Sequence, residues 1–412
     1  MRNSTRSLTW LWALCITQTG SVLVFLNFAG ALPLIQAEWG LTHAQAGGIQ
    51  AATQVGYLLS VLVLSSLTDF VPPERMLAFG ALIAAAANIL FSIVAYSVGV
   101  AIILRILVGV GIAAIYMPGV KVISQQLPQT QRGRAMGLFV ASFTVGSAAS
   151  VAFAGSLAAW FSWRTALGVM SVGPMIATIA AWQVARHLSE TSRVASAPEP
   201  EPTSVRELLY NQNALLVIAT YAAHVWELFG LRTWLPAFIT AAFVYRGATL
   251  AVATRNGASV AGLATLMGAL SIVLAAFLSD RVGRTPTIIA VASLGFLCTL
   301  GLGFGRTWHP GLLIAAALIT AFLLTADSAV ISTTLTETVP QVYLGRALAI
   351  YSFCGFLAGS LSPLAFGIIQ DETGSTWKWA FASLAAGGLV AASAATLLHR
   401  RLRMAPLAPG SL

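Results

Sequence analysis

Residues 257–300 read GASVAGLATLMGALSIVLAAFLSDRVGRTPTIIAVASLGFLCTL. Two apolar runs, each near the roughly 20 residues that carry a helix through about 30 Å of hydrocarbon, flank a charged turn of only a few residues. Inside a bilayer the backbone must satisfy its own polar groups, so such runs are read as helices and the turn as the end of a hairpin. Asp280, Arg281 and Arg284 hold the turn in water, and Gly283 lets it close.

The same alternation continues in both directions. Apolar runs near 8–36, 43–69, 75–97, 98–127, 132–160, 164–187, 211–241, 252–279, 285–305, 309–337, 343–369 and 376–399 predict twelve membrane spans. With 58% hydrophobic and 8% charged residues, the 412-residue chain lies far from the roughly 25% charge of soluble domains. No stretch remains for a sizeable soluble domain. The first run is longer than the 7–15 residues of a signal-peptide core, so it reads as an uncleaved helix. Cys15, Cys298 and Cys354 fall inside apolar runs without disulfide or metal spacing.

Of the 22 Lys and Arg residues, Arg105 and Arg232 fall inside spans, Arg164, Arg246, Arg255, Arg306 and Lys378 face one side, and the other fifteen face the opposite side or the termini. Cytoplasmic loops collect basic residues, which predicts both termini in the cytoplasm of a bacterial inner-membrane protein. The formal charge of +9 is scattered between spans rather than pooled, so it is a topology signal and no nucleic-acid partner is expected.

The chain repeats. Pro128-Gln129 followed by Gly133-Arg134-Ala135 matches Pro340-Gln341 followed by Gly345-Arg346-Ala347, at an offset of 212 residues. Trp163-Arg164 matches Trp377-Lys378 at 214, and Asp69 matches Asp280 at 211. The expected organisation is an N-terminal six-helix bundle over 1–187, a Pro- and Glu-rich cytoplasmic linker over 188–210, and a C-terminal six-helix bundle over 211–412. Repeats of this kind place a solute site near the membrane midplane, where their interface opens to each side in turn.

Two motifs carry a resemblance to a known family. The turn Asp280-Arg281-Val282-Gly283-Arg284 resembles the Asp-Arg-x-Gly-Arg loop of the major facilitator superfamily, whose first-half counterpart here keeps Asp69 but not the Gly and adjacent Arg. Arg105-x-x-x-Gly109-x-Gly111 resembles the fourth-helix motif of the same family. The resemblance covers the whole chain. It implies an all-α membrane fold of twelve helices in two pseudo-symmetric bundles, transport by alternating access, a monomer, and a conformational latch of Asp69, Asp280, Arg281, Gly283 and Arg284. It also implies that spans one, four, seven and ten line the central cavity.

The ionisable residues well inside spans are Arg105 of span four, His224, Glu227 and Arg232 of span seven, and Asp327 of span ten. All belong to spans that the resemblance places on the cavity, so they are the expected solute or proton-coupling residues. His224 and Glu227 are three apart and share a helix face. They are expected to take up and release a proton together, with Asp327 as a second proton site or the counter-ion of Arg105. Polar residues Gln18 and Asn27 of span one and Gln50, Gln54 and Tyr57 of span two are expected to line the cavity or bond another helix. Tyr116, Tyr221 and Trp226 complete the candidates.

Two intramembrane arginines suit a small organic or inorganic anion, because the guanidinium fork matches a carboxylate. Span five lacks the Gly-Pro signature of the family's drug/proton antiporters, which counts against drug efflux. The family's nitrate and nitrite porters use an Arg in spans two and eight; here span two has none, and Arg255 lies near the outer mouth of span eight. A uniporter or antiporter of a neutral or cationic metabolite is the alternative. A polytopic enzyme would need a nucleophile with a base, or a metal cluster; neither spacing occurs, nor does a phosphate-binding Gly-rich loop, so no catalytic residue, metal or cofactor is expected. The expected partners are a small-molecule solute, protons and the lipid bilayer.

Overall fold

The structure, a computed structural model, describes residues 2–67, 71–189 and 210–404. The linker expected over 188–210 falls almost wholly outside the described residues, as does Asp69. Among the described residues every regular element is helical, with one short 3₁₀ turn at Gly305–Thr307.

Among the described residues, eleven helices are long and apolar enough to cross a membrane, and His43–Leu67, at 25 residues, has the length of another. Spans two to five are His43–Leu67, Pro73–Val94, Val98–Gln126 and Gln129–Trp160. Spans seven to nine are Gln212–Tyr245, Leu250–Val282 and Arg284–Leu302, and the last two are Gln341–Glu372 and Trp377–Met404. Most outrun the apolar stretch that marks them, because a helix continues past the hydrocarbon wherever nothing stops it.

Spans one, six and ten are broken, which the hydropathy pattern does not reveal. Span one consists of Arg2–Val22 and Asn27–Trp39, joined by four non-helical residues. Span six consists of Trp163–Met170 and Val172–Ser189; Pro174 has no N–H to donate back to Met170, and the helix resets at Ser171. Span ten consists of Pro310–Ala326 and Ser328–Thr338, with Asp327 at the joint.

Two compact packing units divide the described residues, and they do not coincide with the sequence repeat. Unit one contains Met1–Pro198, Arg232–Leu266 and Pro363–Gly374; unit two contains Glu199–Leu231, Met267–Ser362 and Ser375–Leu412. In unit one, span four packs against spans two and three, and span one against spans five and six. Gly109 lets the contact with span two close, since a Cβ there would run into the Thr53 carbonyl oxygen. In unit two, span nine packs against spans ten and twelve. Gly355 and Gly359 of span eleven lie under Tyr221, Val225 and Phe229 of span seven, the small-residue packing their four-residue spacing suggests.

Candidate functional site

The ionisable residues expected to act together fall into different surroundings. In unit two, His224, Glu227 and Asp327 are 5%, 4% and 3% exposed. The break in span ten presents two consecutive residues to the His224 ring. Nε2 lies 2.9 Å from the Ser328 hydroxyl, and Nδ1 lies 2.9 Å from Asp327 Oδ1, an ion-pair distance without the alignment of a hydrogen bond. A continuous helix would turn residues 327 and 328 about 100° apart. With its proton on Nδ1 the ring accepts from Ser328, and when doubly protonated it donates to it. Tyr221 stacks beside His224 and on Tyr351, with centroids 6.1 Å and 3.6 Å away.

Glu227 points elsewhere. Its Oε1 has no hydrogen-bond partner among the described residues, and Oε2 lies over Gly388 of span twelve, where a Cβ would stand 2.8 Å away. Thr299 and Cys298 of span nine flank it, and Asp327 is within electrostatic reach. The cluster thus holds two buried carboxyls and one imidazole in an apolar interior. Trp226, between them in sequence, donates Nε1–H to the Ser383 carbonyl 2.9 Å away and anchors span seven to span twelve.

In unit one, Arg105 is fully buried and already bonded. Its Nε donates to Thr53 Oγ1 at 3.0 Å, Nη1 to the Val24 carbonyl at 3.2 Å and Asn27 Oδ1 at 2.9 Å, and Nη2 to the Phe25 carbonyl at 2.9 Å. The rings of Phe28 and Phe91 stand 5.8 Å and 5.9 Å from the guanidinium carbon. Val24 and Phe25 belong to the break in span one, where carbonyls lose their helical partners, so Arg105 satisfies the break from span four. Ser150 of span five does the same from the other side, donating to the Leu23 carbonyl at 2.7 Å and accepting from Leu26 N–H at 3.0 Å. Asn27 continues the network by donating to Asn88 at 2.8 Å. Thr53, Asn88, Ser150 and Ser328 are not conspicuous in the sequence; short hydroxyl and amide side chains inside apolar runs are their only signal.

Arg232 is half-buried and opens the part of span seven that belongs to unit one. Gln18, Gln50 and Gln54 are at most 1% exposed and Tyr57 is buried. Tyr116, half-buried, stacks on Phe139 at 5.8 Å. At the span eight to nine turn, Arg284 is paired with Asp280 and with Glu337 of span ten, the latter at 3.2 Å; Asp280 and Arg281 are exposed, and Gly283 has φ +98°. No other residue adopts that turn without strain.

The family model described as Major Facilitator Superfamily matches residues 14–320 and 257–410. The chain belongs to the Major Facilitator Superfamily. Two curated superfamily-like relatives match along most of their length. The probable sulfoacetate transporter SauU of Cupriavidus necator is 23% identical over 392 residues, 89% of this chain and 87% of the relative. The hexuronate transporter of Bacillus subtilis is 25% identical over 403 residues, 89% of this chain and 91% of the relative. Among solved structures, a bacterial homologue of the human lysosomal transporter Spinster superposes with a TM-score of 0.78 at 17% identity, covering 97% of this chain and 98% of the other. The protein is a multi-pass membrane transporter of the superfamily.

Proposed function

We propose that this transporter moves a small organic or inorganic anion across the bacterial inner membrane by alternating access, coupled to protons, with both termini in the cytoplasm and the two repeat halves joined by the 188–210 segment. The single observation that carries the coupling is the His224 ring held between Asp327 and Ser328 at the break in span ten. A proton arriving on that ring changes the charge next to a helix joint, where a change of pairing shifts the two half-helices. Glu227 supplies a second acceptor within electrostatic reach.

The anionic class rests on the relatives, whose named solutes, sulfoacetate and hexuronate, are both acids. Arg105 contributes little to that reading, because four of its five donors are spent on spans one and two. Two buried carboxyls without a bonded Arg or Lys among the described residues favour a second reading, exchange of a cationic solute for protons. The deciding measurement is uptake by proteoliposomes of sulfoacetate, glucuronate, succinate, a neutral sugar and a cationic amino acid, with and without an inward proton gradient. Accumulation of an acid only under the gradient supports proton–anion symport. Gradient-independent movement, or selection of the cation, refutes it.

A further inference from the structure

Span ten changes character at its break. Its first half, Pro310–Ala326, shows Leu312 and Ile319 on the outside, each more than half exposed. Spans eight, nine and twelve do the same in unit two, with Leu270 and Phe277, Leu294 and Leu297, and Leu389 and Leu397. Such faces suit hydrocarbon, where a polar group is costly. The second half, Ser328–Thr338, shows no large apolar side chain outside. Six of its seven accessible residues, Ser328, Ala329, Ser332, Thr333, Thr336 and Glu337, fill one half of the helical wheel at 100° per residue. Val330, Ile331 and Leu335 fill the other half and pack into the core of unit two.

The hydroxyls of that accessible face keep room for water. Ser332 and Thr333 each donate to the Ala329 carbonyl at 2.9 Å, and Thr336 donates to the Thr333 carbonyl at 2.8 Å. A hydroxyl gives one proton and accepts on two lone pairs, so each of these still accepts from water. The face starts at Ser328, which meets the His224 ring at 2.9 Å. About 14 Å further along the helix axis it ends at Glu337, paired with Arg284 at the exposed turn between spans eight and nine. It therefore links a buried titratable pair to an exposed end of the molecule.

His224 and Asp327 are nearly inaccessible, so a proton that they exchange with the medium needs a route across apolar depth. A bare charge does not take that route through hydrocarbon, whereas water beside a row of hydroxyls carries it. We infer that the hydroxyl face of Ser328–Thr338 is the water-lined passage by which the His224–Asp327 joint exchanges its proton with the side of the membrane on which Glu337 and Arg284 lie. Ser332 and Thr336 act there as positioning residues that hold the water and take no proton themselves. This rests on the proton-coupled reading above.

The test uses the full-length protein in liposomes. Ser332→Cys, Thr336→Cys and Ile319→Cys are treated with a charged methanethiosulfonate present on both sides of the membrane, and the unaltered protein measures the background from Cys15, Cys298 and Cys354. The reagent attacks thiolates, which form in water and not in hydrocarbon. Ser332→Cys and Thr336→Cys are expected to react, and Ile319→Cys to stay unlabelled. Ser332→Leu and Thr336→Leu then lay an apolar side chain across the passage, while Ser332→Ala leaves room for water. With the solutes of the uptake measurement above, both leucine variants should lose accumulation under a proton gradient. Exchange of internal for external solute and Tm should hold, because exchange needs no net proton movement, and Ser332→Ala should keep accumulation as well. Cysteines as unreactive as Ile319→Cys, or full accumulation by both leucine variants, return the face to lipid and overturn the inference. Exchange lost together with accumulation means that the face serves the solute or the fold, and overturns it too. If the unaltered protein moves no solute in response to the gradient, the coupling reading itself has failed and the inference falls with it.

Discussion

Asp371, near the end of span eleven, caps the first turn of span two at His43. Its Oδ1 accepts from the His43 backbone N–H at 2.9 Å and its Oδ2 from the Ala44 N–H at 2.8 Å, while the His43 ring Nδ1 lies 2.8 Å from Oδ1. Locally, Thr42 and Gln45 bond each other's backbone N–H at 3.1 Å as a capping box. The remote carboxylate supplies what the box leaves open, and its charge suits a helix N-terminus. Both residues lie in unit one, and Gly367 brings the two backbones together, since a Cβ there would run into the His43 carbonyl oxygen.

Removing that carboxylate has a readable cost. Asp371→Ala should lower stability by about 1–2 kcal/mol, the usual range for a lost helix cap, and Asp371→Asn by less because one oxygen still accepts. Denaturation of the purified protein in detergent measures both. Equal stability of Asp371→Ala and the unaltered protein would mean that water replaces the cap without loss.

Arg105 and the break in span one should stand or fall together. Arg105→Lys keeps the charge but not the fork, so most of the four bonds go, at about 1.5–3 kcal/mol for each hydrogen bond to a charged group. The expected result is a large drop in Tm with or without solute. A variant of normal Tm that no longer binds solute would instead place Arg105 in contact with the cargo.

At the break in span ten, Asp327→Asn keeps shape and removes the carboxylate beside His224. Accumulation against a solute gradient should be lost while exchange of internal for external solute persists, because exchange needs no net proton movement. Glu227→Gln should impair accumulation less, since its carboxyl lies over Gly388, away from the His224 joint. Full gradient-driven uptake by Asp327→Asn would remove the residue from the coupling path.

Close packing of spans two and four gives a stability prediction unconnected with charge. Gly109→Ala drives a methyl into the Thr53 carbonyl and the Tyr57 N–H, both backbone atoms that cannot rotate away. Overpacking of this kind costs about 1–3 kcal/mol. Thermal unfolding in detergent will show it, and Gly137→Ala, where nothing lies within 4 Å of the added carbon, is the control.

For the exposed turn between spans eight and nine the expectation is reversed. Glu337→Gln breaks an ion pair with Arg284 whose partners remain 27% and 52% exposed, so stability should change by less than about 1 kcal/mol. Any effect on uptake larger than that on Tm then belongs to switching between states.

Several features were legible from residues alone, and for a physical reason. A bilayer admits only backbone that bonds itself, so apolar length translates directly into helices, and the spans follow the hydropathy pattern to within a few residues. The repeat of Pro340-Gln341-x-x-x-Gly345-Arg346 on the first half, and the Asp280 to Arg284 turn, are local spacings that survive without a fold. Charged residues in apolar runs stand out for the same reason, which is why Arg105, His224, Glu227 and Asp327 are marked by sequence. What those charges face is set by rotation and depth, which one-dimensional spacing does not carry. Only packing decided that Arg105 closes the break in span one, that His224 meets Asp327 and Ser328 while Glu227 turns to span twelve, and that Asp371 reaches His43 across 328 residues of chain. Each of these depends on helices meeting in space, where a break of a single residue redirects a side chain by a large fraction of a turn.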